Sequence, residues 1–106
     1  LLAAGFADGT VRVWRLAGAA RIGGDLSHTL EGQGGAVLSL AFSPDGQILA
    51  AGSTGGSVRL WRLSDGQPLA SLAGHAGAVV TLAFAPDGKL LASGSHDGTI
   101  RLWGVP

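Results

Sequence analysis

The chain has 106 residues, about one domain's worth, and its seven Lys+Arg balance its seven Asp+Glu. A net charge of zero leaves no electrostatic footprint for nucleic acid or for an anionic membrane surface. With 46% hydrophobic and only 13% charged residues the chain must bury most of its elements, disorder is excluded, and no apolar run approaches the roughly 18 residues of a membrane span.

The chain opens in an apolar run, Leu1-Leu2-Ala3-Ala4, without an initiator Met, and reads as a piece excised from something longer. The segment Leu2–Trp14 matches Leu91–Trp103 and is the first, partial copy of a repeat. Residues 30–63 laid over 72–105 agree at 19 of 34 positions, Phe42/Phe84, Pro44/Pro86, Arg59/Arg101 and Trp61/Trp103 among them. The Trp spacings are 47 and 42, which places five extra residues of connection within Ala17–Asp25. Self-similarity at such a period marks a repeat architecture in which one unit cannot bury its own faces alone.

Within a repeat the pattern is all-β. Ile48-Leu49-Ala50-Ala51-Gly52 and Val79–Phe84 are apolar or small on both faces, as in strands covered on both sides. Ser64-Asp65-Gly66-Gln67 is a turn leading into a strand over Pro68–Leu72. Val79–Phe84 is a strand rich in β-branched and aromatic residues, and Pro86-Asp87-Gly88 a tight turn after it. Leu90–Ser95 and Thr99–Trp103 are two further strands, joined by the turn Ser95-His96-Asp97-Gly98. Four short antiparallel strands per repeat, stacked by their own copies, predict the blades of a β-propeller.

Gly74-His75, Phe84-Ala85-Pro86-Asp87-Gly88, Leu91-Ala92-Ser93-Gly94-Ser95, Asp97-Gly98-Thr99 and Ile100-Arg101-Leu102-Trp103 together resemble a WD40 repeat, and the resemblance covers essentially the whole chain. It implies WD40-type blades of four-stranded meanders in an incomplete ring. Residues 1–30 are an incomplete blade, 31–72 a complete one and 73–106 a blade lacking its last strand. The family's hydrogen-bonded tetrad falls on His75, Ser93, Asp97 and Trp103. In the middle copy the same positions hold Gln33, Ala51, Gly55 and Trp61, so that tetrad is broken. The first copy keeps Asp8 and Trp14 but has Ala4 at the hydroxyl position. Partner surfaces of the family map onto Ala7, Thr54 and His96 in the turns, and onto Ala36, Leu38, Ala78 and Val80 around the first strands. These residues vary between copies, as a recognition surface does, but include no large anchor.

Ser93, His75 and Asp97 are also the ingredients of an acyl-transfer triad. Ser93 lies inside an apolar strand, however, with no nucleophile elbow, so a buried structural network is the expected role. A metal site is not expected: cysteine is absent, and His28, His75 and His96 have no ligand spacing, His28 being read as solvated on a fourth strand. The Gly34-Gly35 and Gly55-Gly56 pairs precede neither Lys-Ser/Thr nor a helix, which excludes a phosphate loop. Arg12, Arg59 and Arg101 recur two residues before each Trp and are expected to pack their stems between blades with the guanidinium on a carboxylate or carbonyl.

The expected function is a non-catalytic scaffold that displays loops to a protein or peptide partner, without cofactor, nucleic acid or membrane. The alternatives are a docking or sensor propeller attached to an enzyme domain outside this chain, and a purely structural repeat unit that assembles with other copies. The remaining blades of a parent propeller, or other copies, are the expected cover for its two end faces.

Overall fold

The computed structural model describes residues 2–15, 25–30 and 35–106. The connection at Ala17–Asp25, apart from Asp25 itself, and the Gln33 position lie outside them. Among the described residues ten strands form three antiparallel meanders. The first sheet holds β1 (Leu2–Gly5), β2 (Val11–Arg15) and β3 (Asp25–Leu30). The middle sheet holds β4 (Val37–Phe42), β5 (Ile48–Ser53), β6 (Ser57–Arg62) and β7 (Gln67–Ala73) in that order. The third sheet orders β8 (Val79–Phe84), β9 (Leu90–Ser95) and β10 (Ile100–Gly104). The all-β class and the meander are as the repeat predicts, and the three sheets form an open stack rather than a closed ring.

Two strands differ in their bounds from the sequence expectation. The strand expected at Pro68–Leu72 extends by one residue at each end. The last strand runs Ile100–Gly104 rather than Thr99–Trp103, and it starts late because the Thr99 amide and hydroxyl are both spent on the Asp97 carboxylate inside the turn. The tight turns need left-handed backbone, which Gly46 and Gly88 supply in the two equivalent Pro-Asp-Gly turns, each at φ 72°.

Sheet stacking creates two apolar layers. Val11 and Val13 of β2 meet Leu49, Ala51 and Trp61 of the middle sheet, joined by Leu30 and Leu63. On its other face the middle sheet packs Ala50, Val58 and Leu60 against Val79 and Leu91 of the third. The face that each sheet offers its successor carries a glycine, and a β-carbon there would strike a valine of the next sheet. Gly5 would strike Val37, and Gly52 would come within 2.6 Å of Val79 Cγ1. The inner strands are therefore glycine-rich because the next strand lies directly on them. The third sheet leaves the corresponding face open: β8 alternates between buried or half-buried residues and exposed Val80, Thr81 and Ala83, so it is not covered on both sides as β5 is.

His28 corrects another expectation. It is half-buried on β3, and its Nε2–H donates to the Leu63 carbonyl of the middle sheet at 2.7 Å, so it bonds across the sheet interface rather than to solvent. Two of the recurring arginines have further surroundings that the repeat does not announce. The Arg12 guanidinium lies over the Phe6 ring at 5.2 Å, and Arg59 Nε is buried with no hydrogen-bond partner among the described residues.

Candidate functional site

Four side chains from four successive segments of the third repeat converge at its interface with the middle sheet. His75 lies in the connection from β7 to β8, Ser93 on β9, Asp97 in the β9–β10 turn and Trp103 on β10. Trp103 Nε1–H donates to Ser93 Oγ at 2.8 Å, and His75 Nε2 lies 2.7 Å from the same oxygen. His75 Nδ1 is 3.1 Å from Asp97 Oδ2. An indole N–H can only donate, which makes Ser93 Oγ an acceptor there. The arrangement that satisfies every group sends the Ser93 O–H to His75 Nε2 and the His75 Nδ1–H to Asp97. His75 and Ser93 are buried, and the Trp103 ring meets the imidazole edge-on with centroids 6.4 Å apart.

The Asp97 carboxylate is the most heavily bonded group of the site. It accepts the Thr99 hydroxyl and amide on Oδ1, and the Ala76 amide and His75 on Oδ2. The Thr99 hydroxyl above all, then the backbone amides and His75, hold its pKa far below the usual carboxylate value. Thr99 and Ser95 belong to this network although the tetrad motif does not name them: Ser95 Oγ donates to the Gly77 carbonyl and accepts the Asp97 amide. The recurrence of Asp-Gly-Thr carries the Thr99 signal, since Thr10 bonds Asp8 in the same way through its amide and hydroxyl.

The chain Asp97–His75–Ser93 has the connectivity of a nucleophilic triad. Ser93 is 1% exposed, however, and Trp103 occupies a lone pair of its oxygen, so no substrate carbonyl reaches Oγ in this arrangement. In the middle sheet Ala51 and Gly55 stand at the hydroxyl and carboxylate positions, and Trp61 is buried against Val11 and Val13.

The candidate partner-binding residues lie on the turns and strand starts of one end of the stack. Ala7, Thr54 and His96 are exposed in the turns between second and third strands. The Thr54 amide bonds the Ala36 carbonyl and the His96 amide bonds that of Ala78, which sets each turn beside the start of its sheet's first strand. Leu38 and Val80 owe their exposure to a feature that the sequence pattern does not announce. Val37 opposes Ser53 and Ser39 opposes Gly52, so Leu38 is an extra, bulged residue; Val80 is bulged identically between Val79 and Thr81. Both side chains stand partly free of the packed layers.

The sequence profile of the WD40 family, described as "WD domain, G-beta repeat", matches residues 24–62 and 66–104. No curated protein matches the chain. Among solved structures it is similar to the computationally designed Ika4 protein, at 33% identity and a TM-score of 0.83 over 98% of this chain. It is similar to the computationally designed Ika8 protein at the same identity and TM-score over 97%. The chain spans 59% of the length of the first and 30% of the second. With two matched repeats, a third partial copy and three stacked antiparallel meanders, the chain belongs to the WD40 repeat family.

Proposed function

We propose that this chain is a non-catalytic scaffold whose turn-bearing end recognises a protein or peptide through Ala7, Ala36, Leu38, Thr54, Ala78, Val80 and His96. The paired bulges carry this reading. They turn two apolar side chains of neighbouring inner strands out of the core, where a purely structural strand would bury them. The balanced charge argues against a nucleic-acid or membrane partner. Residues 1–30, 31–72 and 73–106 act as successive blade units, and His75, Ser93, Asp97 and Trp103 tie the third unit's entry loop to its sheet rather than to a substrate.

Selection of a random peptide library on the immobilised chain tests the recognition surface. Enriched peptides should bind the native chain and Asp45→Ala equally, and should fail on a Leu38→Asp, Val80→Asp double variant that retains its β-sheet circular dichroism. Binding that survives the double substitution defeats the reading. The non-catalytic part rests on a simpler assay: the chain should not hydrolyse p-nitrophenyl acetate above buffer, and hydrolysis abolished by Ser93→Ala would overturn it.

A further inference from the structure

Five Asp-Gly pairs occur in the chain: Asp8-Gly9, Asp45-Gly46, Asp65-Gly66, Asp87-Gly88 and Asp97-Gly98. Such a pair carries a latent reaction, because glycine has no side chain to shield its backbone nitrogen from the preceding carboxyl group. In every pair the glycine amide donates to a carbonyl earlier in its turn, so the nitrogens are restrained alike. The carboxylates are not. A side-chain donor holds Asp8 through Thr10, Asp45 through Ser43, Asp65 through Arg62 and Asp97 through Thr99. Among the described residues the Asp87 carboxylate accepts only the Lys89 amide.

Asp45 and Asp87 form a matched pair. Both are exposed in Pro-Asp-Gly turns whose glycines share φ 72°, and the glycine amides reach the Ser43 and Ala85 carbonyls at the same 2.9 Å. A backbone amide two residues on closes on each carboxylate, from Gln47 at 3.0 Å and from Lys89 at 2.9 Å. The bonding differs at the residue before proline. Ser43 Oγ donates to Asp45 Oδ1 at 2.6 Å and accepts the Ile48 amide, which ties the carboxylate to the following strand. Ala85 has no hydroxyl to offer Asp87.

We propose that Asp87-Gly88 is the pair at which the folded chain converts aspartate to isoaspartate, a backbone modification that needs only water. The Gly88 nitrogen bonds to Asp87 Cγ, and the carboxyl hydroxyl leaves as water with the amide proton. Water then adds to the five-membered imide. Where it adds at the main-chain carbonyl carbon, the bond from that carbon to nitrogen breaks and the chain runs on through Cγ. The carboxyl group must swing off its donors to meet the nitrogen, so each hydrogen bond to it opposes the first step. Asp87 has one such bond to give up and Asp45 has two. The product lengthens the backbone by one carbon inside the turn from β8 to β9, beside the Lys89 carbonyl that accepts the Val105 amide.

The test ages the folded chain for several weeks near neutral pH, then digests it with a protease that cleaves before aspartate and not before isoaspartate. Cleavage before Asp87 should be lost about fivefold faster than before Asp45, the worth of one hydrogen bond. Ala85→Ser should slow the loss at Asp87 to the rate at Asp45 while Asp8 and Asp97 stay as they were, which a general gain in stability would not do. In concentrated urea the native chain should lose both sites equally, because each is a plain Pro-Asp-Gly once the turns open. Equal rates in the folded chain, a faster loss at Asp87 that persists in urea, or no response to Ala85→Ser would each overturn the proposal.

Discussion

Ser93 is the residue on which the third repeat's polar network turns. Its oxygen serves both His75 and Trp103 from a site that is 1% exposed, so Ser93→Ala leaves two donors or acceptors without partners. The expected cost is about 1–3 kcal/mol in urea unfolding. Asp97 sets the pH response. Its folded pKa is depressed from 3.8, chiefly by Thr99, and those of Asp8, Asp45 and Asp65 shift the same way, chiefly through Thr10, Ser43 and Arg62 respectively. Depressed carboxylates bind protons less readily in the folded than in the unfolded chain. Their contribution is therefore complete above the ordinary carboxylate value and is lost as the pH falls below it toward the folded pKa. Stability should be level near neutrality and decline below about pH 4. Asp97→Asn should be less stable than the native chain at pH 7, with the gap narrowing at pH 2. A gap that stays constant with pH would show that the carboxylate charge plays no part.

At the scale of elements, the stack depends on how closely an inner strand lies on the sheet before it. A β-carbon on Gly52 would stand 2.6 Å from Val79 Cγ1 and 2.5 Å from Ser39 Oγ, between two strands with no room to separate. Gly52→Ala should therefore cost about 1–3 kcal/mol through overpacking. The same change at Gly94 meets only the Thr81 methyl, whose side chain is exposed and can rotate, so its melting temperature should fall by much less. Equal losses at the two glycines would remove sheet-on-sheet packing as the cause. The bulges at Leu38 and Val80 act at this scale too, because each releases one side chain from the ladder without breaking the strand.

For the whole molecule the decisive contrast lies between the inside and the ends of the stack. Val58 and Leu60 are fully buried beneath the third sheet, while their repeat counterparts Ile100 and Leu102 are 77% and 70% exposed. The two end faces are successive surfaces of one repeat, so contact between copies is head to tail in kind. The 106-residue chain is expected to associate at micromolar concentration, as light scattering would show. An Ile100→Thr, Leu102→Thr double variant should reduce association with little loss in unfolding free energy, since neither side chain is packed. A compact native monomer at those concentrations would refute the expectation.

Much of this architecture is written in local chemistry. Trp14, Trp61 and Trp103, the Pro-Asp-Gly turns and the apolar inner strands specify the strands and their repeat, because turn geometry and side-chain alternation act over a few residues. The motif likewise pointed to His75, Ser93, Asp97 and Trp103, which the fold brings within hydrogen-bonding reach of one another. Other features needed the tertiary structure. A strand pattern does not reveal that Leu38 and Val80 drop out of register, since a bulge is a property of two paired strands. The bond from His28 to the Leu63 carbonyl joins residues 35 positions apart on different sheets, and the tight fit of Gly52 against Val79 likewise exists only once the sheets stack. Local sequence chose the elements; long-range packing decided which side chains they bury, bond or leave to solvent.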